Sequence, residues 1–465
     1  MKRKHIITAA AALLLMYAPA LNAQAPASAY FTDGNVMTHT MNPALMPERN
    51  YVAIPGIGGI SAATMGNFGY DDVVRRNPLY PNGSDKKMTS FMNPYINNAL
   101  DGFSTGKNRL GAEASIALLS AGFKAFGGYN TIEINSRTQA HINVPYELLE
   151  MAVNTGNNDY DIGDIKAEAQ SFVEIAAGHS RSIGSKWRIG AKVKLLFGIA
   201  DATAEMSGVR ARLNGDTWTV SGTSRAHMSM KGMTYKTKLK DYGGRPGSYE
   251  KVNGIDIDGG GIGGTGFAVD LGAAYNINEW WQVSAALLDL GFIRWNNDMY
   301  AENAEDEFSF SGFHDVSIKT DHGSTIDDQA DEYGDQIADF INLRDRGDRG
   351  SRTTGIGARM NISVSYKLPC YDKMKIGMLS ATRFLGSHTW TEGRLSANWT
   401  PLKWLDGNIN AAVSTYTASF GWMINIHPKN INFFVGMDHL LGKMSKEGIP
   451  LSSNAAVAAG LNITW

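Results

Sequence analysis

The chain has few cysteines, few long apolar runs and little net charge, and each shortage excludes a class of protein. Its 465 residues include one cysteine, Cys370, which excludes an internal disulfide framework. Beyond residue 23 there is no apolar stretch of about 18 residues or more, which argues against a membrane-spanning helix. A formal charge of −2 gives no reason to expect a nucleic-acid partner.

Glycine and aromatic residues are plentiful instead. The chain holds 51 glycines and 10% aromatic residues, yet its mean hydropathy is only −0.22. This combination is typical of strands that present one face to lipid and the other to water.

Strict alternation of apolar and polar residues predicts many strands. In Lys186–Ile199 and Thr354–Lys367, apolar side chains share one face while charged, small or polar side chains share the other. The final segment, Ala455–Trp465, alternates in the same way and ends on an aromatic residue. A soluble β-sandwich would also alternate, so the pattern alone leaves both folds open. The same alternation occurs at 131–144, 374–384, 392–399, 408–415 and 431–438.

Segment length and connections favour a membrane barrel over a sandwich. Many of the alternating segments run for about 10 to 14 residues, which suits tilted membrane strands. Short turns alternate with three long connections, at 145–170, 231–261 and 296–352, as expected for periplasmic turns and extracellular loops. The sequence therefore predicts an all-β transmembrane antiparallel barrel of about 14 to 16 strands over residues 51–465.

Short helices are expected in the outer loops. An apolar stripe at helical spacing begins at Ile326 and includes Tyr333, Ile337 and Phe340. This helix would cap the outer mouth, dock a partner or simply be a solvated loop helix. Residues 146–153 are a second candidate.

The N-terminal region predicts export and a plug. Lys2, Arg3 and Lys4 precede an apolar run, which is typical of a signal peptide over residues 1–23 that is removed near Ala23. Residues 24–50 contain Pro43 and Pro47 ahead of the first strand. Backbone broken by proline is tolerated at membrane depth only where protein or water covers it, so the barrel lumen is a sensible location. A disordered periplasmic tail is the alternative.

Two motifs resemble a known family. The triplet Asn42-Pro43-Ala44, followed at once by a barrel, is similar to the N-terminal hatch of FadL-type fatty acid transporters. The hairpin Gly266–Tyr275 and Trp280–Phe292 resembles one found in FadL-like barrels and in the related PorV and PorQ barrels of type IX secretion. The chain looks most similar to uncharacterised FadL-like barrels of Bacteroidota, within the OmpP/TodX/PorV-like superfamily.

The resemblance implies a monomeric barrel in the cell outer membrane, plugged by its own N-terminus, with Asn42, Pro43 and Ala44 in the hatch. Surrounding lipid would cover the outer wall. The C-terminal strand ending at Trp465 would be the signal that the barrel assembly machinery reads.

Assigning the polar faces inward gives a lumen with an excess of basic residues. Arg359, Arg383 and Arg394 lie on successive predicted strands and, with Lys192 and Lys194, would form a basic patch that favours anions. Pairing of Arg with Glu across neighbouring strands is the alternative for any one of them. The predicted lumen set is Glu133, Arg137, His141, Arg188, Lys192, Lys194, Asp270, Arg359, Asn361, Arg383, Glu392, Arg394 and Asn398.

Transport is the function that these patterns favour. We expect passive uptake of hydrophobic or amphipathic small molecules, with a small-molecule ligand as the partner. The alternative is a barrel that does not transport and serves type IX secretion or cell-surface assembly through its outer loops and a surface protein partner. We expect no enzyme, cofactor or metal site: no nucleophile and base are shown to converge, and paired His or Cys spacings are lacking.

Overall fold

The fold is described from a computed structural model, which describes residues 27–80, 88–154, 156–214, 217–242, 246–303, 307–310, 343–439 and 454–465. These residues contain the helices α1 (Tyr70–Val73) and α2 (Tyr146–Val153) and 3-10 helices at Ala27–Phe31, Thr38–Thr40 and Gly386–His388. The first strands are β1 (Tyr51–Ala53), β2 (Ile60–Gly66), β3 (Val74–Arg76), β4 (Met88–Ser90), β5 (Lys107–Ala125), β6 (Gly128–Pro145), β7 (Asp159–Ile183), β8 (Trp187–Asn214), β9 (Thr217–Met230), β10 (Met233–Asp241), β11 (Ser248–Ile257) and β12 (Gly264–Asn276). The remaining strands are β13 (Trp281–Trp295), β14 (Met299–Asn303), β15 (Glu307–Phe310), β16 (Leu343–Asp348), β17 (Arg352–Gly355), β18 (Ala358–Lys367), β19 (Met374–Phe384), β20 (Trp390–Leu402), β21 (Leu405–Ser414), β22 (Ala418–Ile426), β23 (Ile431–Asp438) and β24 (Ala455–Thr464).

The wall is a closed antiparallel barrel of 14 strands, which confirms the lower end of the predicted range. β1 and β2 are two parts of one wall strand, because both pair with β5 on one side and β24 on the other. β17 and β18 likewise share one position beside β13. The order around the wall is β1/β2, β5, β6, β7, β8, β12, β13, β17/β18, β19, β20, β21, β22, β23 and β24.

The wall has an apolar outside and a polar inside. On β8, Trp187 and Leu195 are 49% and 55% exposed, whereas Lys192 and Lys194 are 3% and 6% exposed. A soluble sandwich would show the opposite arrangement, with polar residues outside. This inversion is what a barrel embedded in lipid requires. No helix among the described residues is long and apolar enough to cross a bilayer.

One end of the barrel carries tight turns, and we call it the turn end. The β5–β6 turn passes through Phe126 and Gly127, with φ angles of 55° and 71°. Two successive positive φ angles are typical of the hairpin turns that match strand twist. Short predicted turns are also found between β12 and β13, β18 and β19, and β22 and β23.

The opposite end, the sheet end, carries strands where we predicted long loops. The segment 145–170 contains α2, as predicted for 146–153, and the first half of β7. The segment 231–261 contains β10 and β11, and 296–352 contains β14, β15 and β16. The prediction missed them because bulges interrupt the alternation, as at Gly163/Ile165, Lys236/Thr237 and Met299/Ala301. Above the wall, β8 pairs with β9 rather than β12, which begins an outer sheet of β9, β10, β11, β14, β15 and β16.

Candidate functional site

Residues 27–50, which we call the N-terminal segment, fold into a compact unit that is mostly buried. Asn42 is fully buried, and its side-chain oxygen accepts a hydrogen bond of 2.9 Å from the Ala44 amide, as asparagine often does in turns. Its amide group donates to the Tyr30 hydroxyl at 3.2 Å. Pro43 has no amide hydrogen to satisfy, so this turn leaves few unpaired polar groups.

The N-terminal segment contacts the wall on several sides, which places it in the lumen. The Ser28 amide donates to Asp438 of β23, and the Tyr30 hydroxyl lies 2.9 Å from the Ser284 hydroxyl of β13. Asn361 of β18 donates to the Met41 carbonyl at 2.8 Å. β13 and β18 are neighbours, but β23 lies on the far side of the barrel, so one segment can reach all three only from inside.

Two glycines of the wall form a seat for the Asn42-Pro43-Ala44 triplet. Gly190 of β8 and Gly272 of β12 lie opposite each other in the ladder. A Cβ atom at Gly272 would collide with the Asn42 side chain, and one at Gly190 would collide with the Pro43 carbonyl. Glycine at both positions lets the backbones approach closely.

We expect Gly272→Ala to disturb this seat. The added methyl group must push Asn42 away or strain the wall, and overpacking of this kind typically costs about 1–3 kcal/mol. The thermal unfolding midpoint of the purified barrel should fall. Gly393→Ala is the matched control, since a Cβ there meets no neighbouring atom within 4 Å. Equal midpoints for the two variants would show that the triplet is not held at this seat.

A buried polar network ties the N-terminal segment to the wall. His39 Nε2 lies 2.7 Å from the Tyr51 hydroxyl, which lies 2.7 Å from the Ser120 hydroxyl. His39 Nδ1 lies 2.9 Å from Lys192 Nζ and 3.0 Å from Glu133 Oε1. Lys192 and Glu133 also pair with each other at 2.9 Å. Lys192 is therefore a partner of Glu133 and of the segment, rather than a free lumenal cation.

A second group of charges crosses the lumen, and we call it the cross-lumen network. Its centre is Asp289 of β13, which accepts two hydrogen bonds from Arg137 at 2.8 and 2.9 Å and one from Lys194 at 2.6 Å. Arg383 approaches the same carboxylate at 3.3 Å. Asp289 has a φ of 57° and lies at a bulge in the β12–β13 pair. A residue other than glycine in this conformation must be held by its surroundings, here by three cations.

The network reaches the opposite wall through Glu113. This carboxylate lies 2.9 Å from Arg359 and 3.2 Å from Arg383. Glu113 is on β5 and Arg383 on β19, the second and ninth of the 14 wall positions, so they stand on opposite sides of the barrel. The ion pair therefore bridges the lumen across its width.

The charges of the cross-lumen network balance. Its four cations are Arg137, Lys194, Arg359 and Arg383, and its four carboxylates are Glu113, Glu174, Asp270 and Asp289. The sequence indicated an excess of base because it did not identify Glu113, Glu174 or Asp289 as lumenal. Ion pairing, the alternative considered for each basic residue, is what the structure contains.

The five residues predicted as a basic patch thus fall into three groups. Arg359, Arg383 and Lys194 belong to the cross-lumen network. Lys192 pairs with Glu133, and Arg394 lies apart, with Glu392 at 2.8 Å and Asp438 at 2.8 Å. Tyr333, Ile337 and Phe340, predicted on an outer helix, lie outside the described residues. Among the described residues, no cluster of three or more His, Cys, Asp or Glu side chains suits a metal ion.

The N-terminal segment separates two cavities. The turn-end cavity, of about 870 Å³, is bordered by Tyr30 and Phe31 of the segment and by Trp280 and Trp281 of the wall. The sheet-end cavity is smaller, about 100 Å³, and is bordered by Ala27 and Met41 on the other side of the segment. Both cavities mix apolar and charged walls, so both can accept a ligand with an apolar body and a polar group.

These features define the class of molecule: a closed 14-stranded barrel whose lumen holds its own N-terminal segment and a transverse ion network. The chain belongs to the family of unknown function DUF5723, whose model matches residues 43–438. No curated protein matches the chain.

Three solved structures of similar architecture are distant in sequence. The toluene transporter TodX of P. putida is 9% identical, with a TM-score of 0.40 over 91% of this chain and 92% of that one. A FadL homologue of Pseudomonas aeruginosa is 9% identical, with a TM-score of 0.40 over 96% and 98%. The translocator domain of NalP from Neisseria meningitidis is 8% identical, with a TM-score of 0.33 over 98% and 97%. The likeness concerns barrel architecture and carries no functional argument.

Proposed function

We propose that the chain is an outer-membrane barrel for passive uptake of hydrophobic or amphipathic small molecules, a FadL-like barrel of the Bacteroidota group. In this proposal the sheet end faces outside, the turn end faces the periplasm, and the N-terminal segment acts as the hatch. A signal peptide over residues 1–23 would direct export, and Trp465 would end the strand that the assembly machinery recognises.

One observation carries the proposal: the N-terminal segment separates two cavities inside a closed barrel. A ligand entering the sheet-end cavity meets Met41, and leaving by the turn-end cavity it passes Tyr30 and Phe31. A small shift of the segment would connect the two spaces. The apolar outer wall, exemplified by Trp187 and Leu195, supports placement in a membrane.

Copurification in mild detergent tests the proposal. Native mass spectrometry of the barrel from outer membranes is expected to show a bound amphipathic small molecule. Asn42→Ala should reduce its retention, because this variant removes the amide that holds the turn of the hatch. Asn130→Ala, at the partly exposed β5–β6 hairpin, is the control and should retain the ligand.

A role in surface assembly is the competing function. In that case the outer sheet above the wall would be the surface that the partner contacts. If the barrel copurifies with no small molecule but with a stoichiometric protein partner, surface assembly and not uptake is its function. Recovery of the chain as a soluble periplasmic monomer would contradict both functions.

A further inference from the structure

The charged groups around the sheet-end cavity do not balance, unlike those of the cross-lumen network. Glu392 and Asp438 are 1% and 2% exposed, and both pair with the single cation Arg394. Two carboxylates against one guanidinium leave one negative charge. A buried net charge is costly unless a cation compensates it.

The neighbouring histidine does not need to supply that cation. His439 Nδ1 lies 2.9 Å from the Ser419 hydroxyl, which can donate to it, and Nε2 lies 3.2 Å from Glu392 Oε2. A neutral imidazole with its proton on Nε2 accepts the hydrogen bond from Ser419, and its N–H lies near Glu392 Oε2 without a hydrogen bond of normal geometry. The remaining charged groups at the cavity, Glu113, Arg359 and Arg383, belong to the neutral network.

The cavity also presents buried polar atoms that lack hydrogen-bond partners. Glu392 Oε2 accepts no hydrogen bond of normal geometry, and His141 Nε2, on a side chain 8% exposed, has no partner. Both side chains border the cavity. Buried polar atoms are normally satisfied, so unsatisfied ones at a cavity indicate a missing ligand or solvent group.

Much of the remaining cavity wall is apolar or aromatic, beside the polar side chains of Asn361, Thr382 and His388. Met41, Met65, Leu379 and Leu385 border it, and Trp390 offers an aromatic face. An ammonium group near an aromatic ring gains cation–π stabilisation, and an alkyl chain gains from leaving water. A volume of about 100 Å³ corresponds to roughly three water molecules, or a chain of about four carbons with a polar end.

We infer that the sheet-end cavity is a binding site for a small amphipathic amine, with its ammonium group on Glu392 and its apolar chain toward Met41 and Leu379. This inference rests on the proposed uptake function and names its substrate class. The site lies on the entry side of the hatch, so it would select a positively charged ligand before the N-terminal segment moves.

The test uses three probes with the same carbon skeleton: n-butylamine, n-butanol and butyrate. Binding to the purified full-length protein is measured at neutral pH and matched ionic strength by ligand-observed NMR. n-Butylamine is expected to bind at least about tenfold more tightly than n-butanol, with butyrate weakest. Equal affinities, a preference for butyrate or no binding by any probe would overturn the inference, as would a proton on His439 that already balances the charge.

Variants locate the charge that selects the amine. Glu392→Gln should reduce n-butylamine binding to the level of n-butanol, whereas unchanged binding would contradict the assignment. Asp406→Asn is the matched control and should keep the preference, since Asp406 is a buried lumenal carboxylate paired with His427 at 2.9 Å and outside this cavity. If Glu392→Gln fails to fold, the three-probe comparison on the unaltered protein still decides.

Uptake into proteoliposomes, measured as the rate above that of protein-free liposomes because n-butanol and neutral n-butylamine also cross a bare bilayer, separates this inference from the function on which it rests. If n-butylamine binds selectively but does not enter, the amine site is supported and uptake is refuted. Entry of n-butanol and n-butylamine at equal rates, with no preference in binding, would support uptake and refute the amine site. Selective binding with selective entry would support both.

Discussion

Deleting residues 27–49 is expected to turn a closed barrel into an ion-conducting one. The N-terminal segment fills the space between the two cavities, and in the intact protein it contacts β13, β18 and β23. Smaller barrels fill their lumen with wall side chains, whereas larger ones enclose aqueous channels. A barrel of 14 strands lies between these cases, so removing the segment leaves room for water. Planar-bilayer recordings should show stable conductance steps that the intact protein lacks.

The cross-lumen network sets a limit on that conductance. Glu113 meets Arg383 across the width of the barrel, so deletion of the segment alone leaves one obstruction in place. Adding Glu113→Ala to the deletion should raise the conductance further, while Glu113→Ala in the full-length protein should raise it little. Recordings in which the deleted barrel stays closed would show that the wall itself, and not the N-terminal segment, blocks the lumen.

The wall could be predicted from sequence where each strand keeps strict period 2. On β8, Trp187 to Leu195 alternate without interruption, because one face meets lipid and the other meets polar groups. The lumenal location of Lys192 and Lys194 followed directly from this pattern. Their partners did not, because ion pairs across a barrel depend on strand order and register, and single-sequence periodicity specifies neither.

Asp289 shows why part of the site was missed. Strict alternation from Trp281 places Asp289 on the outer, lipid-facing side of β13, where a carboxylate is unfavourable. The structure resolves this conflict with a bulge, so that Leu288 and Asp289 are both buried. A carboxylate on an apolar face was therefore a usable signal for a bulge. Glu113 gave no comparable signal, because the alanine- and glycine-rich β5 alternates only weakly.

The outer sheet was missed for a related reason. β7 and β8 continue far beyond the wall, but bulges reverse which residues face the core. Apolar residues lie at odd positions before a bulge and at even positions after it, or the reverse. The alternation therefore disappears when the whole segment is considered, and the segment resembles a polar loop in the sequence. The N-terminal segment shows the opposite case: its two prolines excluded a strand, yet only the structure shows the wall glycines that receive it.

Asp289→Asn is expected to lower the free energy of unfolding of the barrel strongly. Asparagine keeps the shape of the side chain and tolerates a positive φ, so the variant removes charge without adding backbone strain. The buried cations Arg137, Lys194 and Arg383 would then lose their common carboxylate, and the network would carry a net positive charge. Removing one partner of a buried ion pair costs about 3–5 kcal/mol, because the charge left behind has no compensation.

An exposed ion pair is the control for the effect of burial, because the loss of stability should require a buried carboxylate and not merely the loss of any carboxylate. Asp161→Asn removes the partner of Arg210, but both side chains are about three-quarters exposed, at 75% and 74%, and such pairs contribute little. Urea titrations of barrels refolded into lipid vesicles should place the unfolding midpoint of Asp289→Asn far below that of Asp161→Asn. Asp289→Gly adds a second comparison, because glycine relieves the strained φ yet also removes the charge. If Asp289→Gly proved as stable as the unaltered protein, backbone strain at this bulge would outweigh the ion pairs, and the cross-lumen network could not be what holds the opposite walls together.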